Sequence, residues 1–587
     1  MTLAKHWRYG QDEDLVNSFL KGFIASNPAV NLIESERVIY NPNSDGSKKV
    51  CLISGGGSGH EPLHSGYVGD NLLDAAVAGS IFASPNTRQI LAAIKACSDK
   101  DRGTLVIVKN YTGDILHFGL VVERAKAEGY KCEMLAVTDD VAVGREQNKM
   151  VGRRGLAGTA IIHKIMGAAS HHLQLPELLI LGQLINKNLV TLGASLDRTS
   201  VPNKVDEIEF TQENEAELGL GIHNEPGVKL SPIPNIDDLI KNMLEKLIGD
   251  KDQDRHYVKF DTKNDDYILL VNNIGGTSSL ELYVIVSHVI ANLPFSKKPT
   301  RVLVSDFVTS LNSPGFSITL LNLSNIDKDN CKCSRQQILQ FLDAPTNAPG
   351  WKPKSFENWG IESQLVESPL KHNVVPTSDL KIDGNQFKQA LSNGLKYLLE
   401  QEPKITHYDT VVGDGDCGET LAAGANSILK GLNEGLKDSL DDPVSTIYKI
   451  TELVEESMGG TSGGLYSIFL TSLSQNLQKL KDSSIDSISQ ALHNALYDGL
   501  FKYTNARVGG RTLVDTLQPF VDSLSKTKDL KQAVHAAKDG CESTKKLQAK
   551  FGRASYVDEK DLQLEGGIPD PGAVGLLALI EGFTGIY

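Results

Sequence analysis

A change of hydrophobic period along the chain constrains the fold more than any other feature. Up to about residue 343, short apolar runs alternate with amphipathic stretches; beyond about residue 379, apolar residues recur only at helical spacing. Strands and helices bury different faces and pack into different layers, so a chain with both regimes in sequence needs more than one core. Residues 49–54 (KVCLIS), 105–109 (LVIVK) and 132–137 read as strands, while 88–97 and 117–128 read as helices. That alternation predicts βαβ units and a mainly parallel sheet, with ligand sites at the carboxyl ends of its strands. Residues 267–271 (YILLV), 301–305 and 317–321 (SITLL) predict a second α/β unit. In the last third, Phe387, Ala390, Leu391, Leu395 and Leu398 recur at helical intervals, as do apolar residues in 447–457, 465–480, 485–503 and 530–547. Between the regimes, the stretches 344–360 and 367–378 are rich in Pro, Asn and Ser and read as a linker. The expected organisation is an α/β half over residues 1–350, in subdomains of roughly 1–195 and 196–350, a linker at 351–380 and an all-α domain at 381–587.

Composition narrows the function classes. The net charge is −14, from 59 basic and 73 acidic side chains, which argues against a nucleic-acid partner. No apolar run approaches the ~18 residues of a membrane span. The first fourteen residues are polar, with no secretory apolar core. The 7 cysteines include no CxxC pair, so reduced thiols and a cytoplasmic setting are expected.

Two regions carry chemistry. The first is the run Ser54–Gly55–Gly56–Gly57–Ser58–Gly59–His60–Glu61–Pro62 after a strand. It lacks the Lys-Ser/Thr ending of a P-loop and is either a tight turn or a place where backbone meets ligand. Asp114 closes the loop that starts at Lys109 and is either the N-cap of the next helix or a functional acid. His223 sits in a Gly- and Pro-flanked turn that suits a structural or a catalytic histidine. The second region is 407–420, which places Asp409, Asp414 and Asp416 in one short stretch. It is either a polar surface turn or a site where a hard cation such as Mg²⁺ relieves the repulsion of like charges. It is not an EF-hand. Glycine runs at 457–464 and at Asp570–Pro571–Gly572 each precede a helix, where amides can bind phosphate or simply turn the chain.

Taken together, SGGGSGHEP, VKNYTGD and LGLGIHNEPG resemble the substrate half of the single-chain, ATP-dependent dihydroxyacetone kinases, also called glycerone kinases or triokinases. The likeness covers nearly the whole chain and implies an α/β substrate domain fused to a helix-barrel nucleotide domain. It further implies that His223 holds the substrate carbonyl as a hemiaminal, that Asp114 is the base for the transferred hydroxyl, and that His60 polarises the substrate. Gly57, Ser58, Gly59 and Lys109 would line that pocket. Asp409, Asp414 and Asp416 would hold two Mg²⁺ ions on ATP, and Cys417, Gly418, Glu419, Thr420, Thr461, Ser462, Arg511, Asp570, Pro571 and Gly572 would contact the nucleotide. The 552–556 stretch (GRASY) also belongs to the pattern. Cys417 stands where bacterial relatives often have Thr. The implied substrates are dihydroxyacetone, D-glyceraldehyde and ATP, handled by a homodimer whose active site joins two chains. The resemblance leaves an FAD-AMP lyase side activity forming cyclic FMN, or a non-catalytic carbonyl-binding regulator, as alternatives.

Overall fold

The computed structural model describes residues 6–10, 13–146, 152–202, 211–328, 332–353, 366, 374–548 and 567–587. The chain divides into two compact units, Met1–Gln364 and Leu365–Tyr587.

The first unit holds two six-stranded sheets. In the first, β1 (Asn31–Ile33), β2 (Val38–Tyr40), β3 (Cys51–Ser58), β4 (Ala75–Ile81), β5 (Thr104–Lys109) and β6 (Cys132–Val137) run in the order β1-β2-β4-β3-β5-β6. The four strands β3 to β6 are parallel, and β1 and β2 add an antiparallel edge. The second sheet contains β7 (Leu189–Ser195), β8 (Ala216–Leu218), β9 (Val228–Leu230), β10 (Tyr267–Asn273), β11 (Arg301–Ser305) and β12 (Gly315–Asn322), in the order β11-β10-β12-β7-β8-β9. Only β10 and β11 pair in parallel there. The parallel expectation therefore holds for the first sheet alone.

The helices of this unit are α1 (Leu15–Ser26), α2 (Thr87–Cys97), α3 (Thr112–Ala127), α4 (Gly158–Ala169), α5 (Leu175–Lys187), α6 (Ile236–Ile248), α7 (Ser279–Asn292), α8 (Leu323–Lys328) and α9 (Arg335–Asp343). One apolar core gathers residues of α4, α5 and the inner faces of both sheets. A second lies between the first sheet and α2 and α3, and a third between the other sheet and α6 and α7. Every residue of α4 is buried, as expected of a helix enclosed between two sheets.

The second unit is helical: α10 (Gly384–Val412), α11 (Cys417–Gly431), α12 (Pro443–Ser457), α13 (Gly460–Leu477), α14 (Ile485–Asn494), α15 (Val514–Thr527), α16 (Leu530–Ser543) and α17 (Pro571–Thr584). Local chemistry sets several starts: Asp383, Asp442, Asp529 and Asp570 each accept a backbone N–H of the following first turn, and Pro follows Asp442 and Asp570. α17 is almost wholly apolar and supplies Leu576, Ala578 and Leu577 to three separate clusters.

Both ends of the expected linker are tied to a unit. Trp351 is buried in the first core, Gly350 N–H donates to Gly66 at 2.8 Å, and Asn347 accepts from Asp70 N–H at 2.8 Å. At the other end, Ser378 N–H donates to Asp442 at 2.8 Å and Leu380 is buried. Pro, Asn and Ser weaken periodicity but do not prevent packing when side-chain amides and indoles find partners.

Candidate active site

The glycine run is not a loop after a strand. β3 continues through it to Ser58, with an irregular register against β4 between Gly56 and Ser58. The glycines are there for close packing: a Cβ on Gly55 would lie 2.5 Å from the Val77 carbonyl oxygen, and one on Gly57 would lie 2.8 Å from Ala83 N. At Gly59 the backbone turns left-handed, with φ of 103°, and His60 follows. His60 is wholly buried, stacked on Phe82 with ring centroids 5.2 Å apart.

The helix after β5 begins earlier than its pattern suggested, at Thr112. Asp114 therefore lies in the first turn of α3 and is not its N-cap; Tyr111 occupies the cap position without a side-chain bond. An acid in a first turn is stabilised by the amide ends there. Asp114 is buried at 4 % exposure and accepts the Ser84 hydroxyl at 2.5 Å. Burial raises its carboxyl above the usual range, opposed chiefly by the Lys109 cation. Lys109 is wholly buried at the end of β5, and burial lowers it to about 8 against the pull of Asp114, Glu61 and Glu225. Its Nζ has no hydrogen-bond partner among the described residues, an uncommon state for a buried ammonium.

His223 comes from the turn between β8 and β9. Its Nε2 lies 3.0 Å from His60 Nε2. Its ring also packs edge-on against Tyr111, with centroids 4.6 Å apart. The loop after β11 clamps both histidine segments: Thr309 O faces His60 Nδ1 at 2.9 Å, Leu311 N–H donates to Gly59 at 2.9 Å, and Ser310 Oγ donates to Ile222 O at 2.6 Å. Burial, then Lys109 and His223, hold His60 well below the usual histidine range, so it is neutral. The structure thus brings Gly57, Ser58, Gly59, His60, Lys109, Asp114 and His223 into one region.

Sequence reasoning missed three of its members. Glu225 receives both the His223 backbone N–H at 2.9 Å and its ring Nδ1 at 3.1 Å. Its place two residues after His223 was the available signal. Ser84 and the Thr309 carbonyl carry no such signal, because only the fold brings them to Asp114 and His60.

In the second unit, Asp409 lies in the last turn of α10 and is buried at 9 % exposure, whereas Asp414 and Asp416 are exposed. One oxygen from each of the three lies within 4.8 Å of the others. Asp409 Oδ2 accepts Cys417 N–H at 2.9 Å, folding the loop back on itself. Gly415 has φ of 81°, which the turn requires. The carboxyl end of α10 carries its own partial negative charge, so three further carboxylates there call for a cation. An all-oxygen donor set suits Mg²⁺ or Ca²⁺.

Around this loop stand the amino ends of α11, α13 and α17. Gly418 is buried and Thr420 half-buried, while Glu419 is exposed, all in the first turn of α11. Thr461 and Ser462 lie in the first turn of α13, where a Cβ on Gly459, Gly460 or Gly464 would meet nothing within 4 Å. Burial, then Asp409 and Asp570, push the Cys417 thiol up to about 12, and Ser462 hydrogen-bonds to it. Asp570 caps α17, with Pro571 and Gly572 next, and accepts Ala573 N–H at 2.8 Å. Burial raises Asp570 to about 7, opposed by that bond and by Arg511. Arg511 itself is buried at 1 % exposure and donates to the carbonyls of Ile568 at 2.8 Å and Thr544 at 3.3 Å. Its guanidinium thus fixes the approach to α17 from within the unit. The 552–556 stretch lies outside the described residues.

Comparison with known proteins follows the same division. The Dak1 domain model matches residues 21–350 and the DAK2 domain model residues 411–585. The chain is 52% identical to a dihydroxyacetone kinase of Komagataella pastoris, over 100% of this chain and 98% of that one. It is 48% identical to one from Pichia angusta, again over 100% and 98%. A human triokinase/FMN cyclase is 36% identical, over 96% of each chain. The crystal structure of the C. freundii dihydroxyacetone kinase with AMP-PNP and Mg²⁺ matches with a TM-score of 0.68 and 30% identity, over the full length of both chains. The chain belongs to the dihydroxyacetone kinase family.

Proposed function

We propose that the chain transfers the γ-phosphoryl group of ATP to a hydroxyl of dihydroxyacetone, and to D-glyceraldehyde as a second acceptor. The observation that carries this reading is the His60–His223 pair at 3.0 Å, beside the buried carboxylate of Asp114. An imidazole nitrogen can add to a small carbonyl, and a polyol without a carbonyl offers nothing to trap. His223 would hold the substrate as a hemiaminal while His60 hydrogen-bonds its oxygen. Asp114, its carboxyl raised by burial, would take the proton of the transferred hydroxyl. Gly57, Ser58, Gly59 and Lys109 would close the pocket.

Asp409, Asp414 and Asp416 would hold two Mg²⁺ ions, which when bound neutralise the charge on the ATP phosphates. The amides and side chains of Cys417, Gly418, Glu419, Thr420, Thr461, Ser462, Asp570, Pro571 and Gly572 would position the nucleotide, with Arg511 supporting Asp570. Phosphoryl transfer needs placement more than covalent work by the protein, which suits this division of tasks. We further propose a cytoplasmic homodimer in which the helical unit of one chain serves the α/β unit of the other. That setting is compatible with the described helices, none of which is long and apolar enough to cross a membrane. Relatives named triokinase/FMN cyclase make cyclic FMN formation a second reading for the same nucleotide site.

The test is a coupled ADP-release assay with dihydroxyacetone, D-glyceraldehyde and glycerol, with and without Mg²⁺. Strong preference for the two carbonyl compounds is expected; equal activity on glycerol would sink the carbonyl-trapping argument. Mixing Asp114→Asn chains with Asp416→Ala chains should restore activity if the site joins two chains.

A further inference from the structure

The four ring nitrogens of His60 and His223 form a continuous chain between two fixed acceptors. Thr309 O, a carbonyl with only lone pairs to offer, lies 2.9 Å from His60 Nδ1, so that nitrogen carries a hydrogen. At the other end Glu225 Oε1 lies 3.1 Å from His223 Nδ1. Burial raises the Glu225 carboxyl, but hydrogen bonds from the His223 ring and backbone outweigh it and leave Glu225 at about 2. It is therefore an ionised acceptor, and His223 Nδ1 also carries a hydrogen. The two Nε2 atoms, 3.0 Å apart, need one hydrogen between them. Three hydrogens on four ring nitrogens give the pair one positive charge, balanced by Glu225. His60 is wholly buried beside the Lys109 cation, so the extra charge is costly on its ring.

We infer that Glu225 is the positioning residue of the carbonyl-trapping step, and that the hydrogen it helps to fix between the two Nε2 atoms is the one delivered to the substrate oxygen. This inference rests on the hemiaminal reading above. The step balances as follows. The bridging proton passes to His60 Nε2, leaving His223 neutral, with its hydrogen on Nδ1 and a bare lone pair on Nε2. That lone pair forms a bond to the carbonyl carbon, the C=O π pair moves to oxygen, and the oxygen takes the proton from His60 Nε2. The product has a C–N bond and an O–H. The His223 ring is cationic again, with its Nδ1–H on Glu225, and His60 is neutral. The charge of the set is unchanged throughout, and reversal releases the substrate. Without Glu225, nothing holds the Nδ1 hydrogen, and a tautomer with hydrogen on Nε2 has no lone pair for attack. The backbone supports the same geometry: Asn224, between the two residues, has φ of 63°, and its side-chain amide donates to Thr199 O at 2.9 Å and accepts Thr199 N–H at 3.0 Å.

The experiment compares the full-length wild type with Glu225→Gln and Glu225→Asp. Dihydroxyacetone labelled with ¹³C at its carbonyl reports the adduct by NMR, and steady-state assays give KM for each substrate. For Glu225→Gln we expect loss of the adduct signal at substrate levels that saturate the wild type. KM for dihydroxyacetone should rise about 10-fold or more, with KM for ATP within about twofold. Glu225→Asp should recover part of the adduct. An unchanged adduct and KM in Glu225→Gln would overturn the inference, as would a parallel loss of kcat and ATP affinity with the adduct intact. A wild type that forms no adduct would overturn the hemiaminal reading itself. Histidine ring ¹⁵N shifts of the unsubstituted protein give an independent check that needs no variant to fold: three protonated nitrogens across His60 and His223 are expected, and two would refute the assignment.

Discussion

The pocket around His60 draws its groups from residues 60, 114, 223 and 309 and buries most of them, whereas the acidic loop takes its three carboxylates from one short stretch and leaves two exposed. Burial makes unpaired polar groups costly, so each imidazole has a partner, and burial moves His60, Lys109 and Asp114 from their usual ranges. An exposed loop can leave charge to water until a cation arrives, at little cost in stability. On the proposed reading, the first site would be pre-built for an uncharged substrate and the second poised for a charged one.

Six substitutions or conditions test this contrast, taken from the largest effect down. Asp114→Asn should lower kcat about 10³-fold, the scale of a lost general base, by ADP-release assay; a loss under tenfold would remove Asp114 from its role. Asp416→Ala should lower Mg²⁺-dependent activity about 10²-fold. The same exposed change should shift Tm by no more than about 2 °C in calorimetry. A large loss of stability there would mean that the acidic loop is as structurally committed as the buried pocket.

His223→Ala should reduce the preference for dihydroxyacetone over glycerol by about 10-fold to 100-fold in kcat/KM ratios. Unchanged preference would refute carbonyl trapping. The pH profile tests Lys109, which burial lowers to about 8. Below that pH it is charged and opposes the burial penalty on Asp114; above it the cation is lost, so kcat/KM should fall as pH rises through about 8. Lys109→Met should lack that bend. For stability the sign is reversed. Between about 8 and its unfolded value the folded state binds fewer protons than the unfolded one, so this group's contribution rises with pH across that window. Smallest of all, Cys417→Thr should keep kcat within about threefold. The contact to Asp409 is made by the Cys417 backbone N–H, which the substitution leaves in place.

The clustering of residues in each candidate site was partly legible beforehand, for different reasons. Asp409, Asp414 and Asp416 lie close in sequence, so their convergence needs only one turn between two helices. The strands at 132–137 and 301–305 fell where their apolar patterns placed them, because each pattern ends at a charge or turn residue. The extent of β3 did not, since glycine carries no hydrophobic signal and the pull to stay extended comes from β4 beside it. Likewise the early start of α3 at Thr112 lacks a capping side chain for sequence reasoning to find.

Local pattern alone fixes the two regimes of periodicity, the Asp570–Pro571 start of the last helix and the acidic cluster. All of these depend on neighbours within a few residues. Folding alone puts the Thr309 carbonyl on His60, brings Ser84 to Asp114 and encloses Arg511. Those contacts arise where loops from separate strands converge. Their physical basis is the need of each buried donor and acceptor for a partner, which no local pattern records.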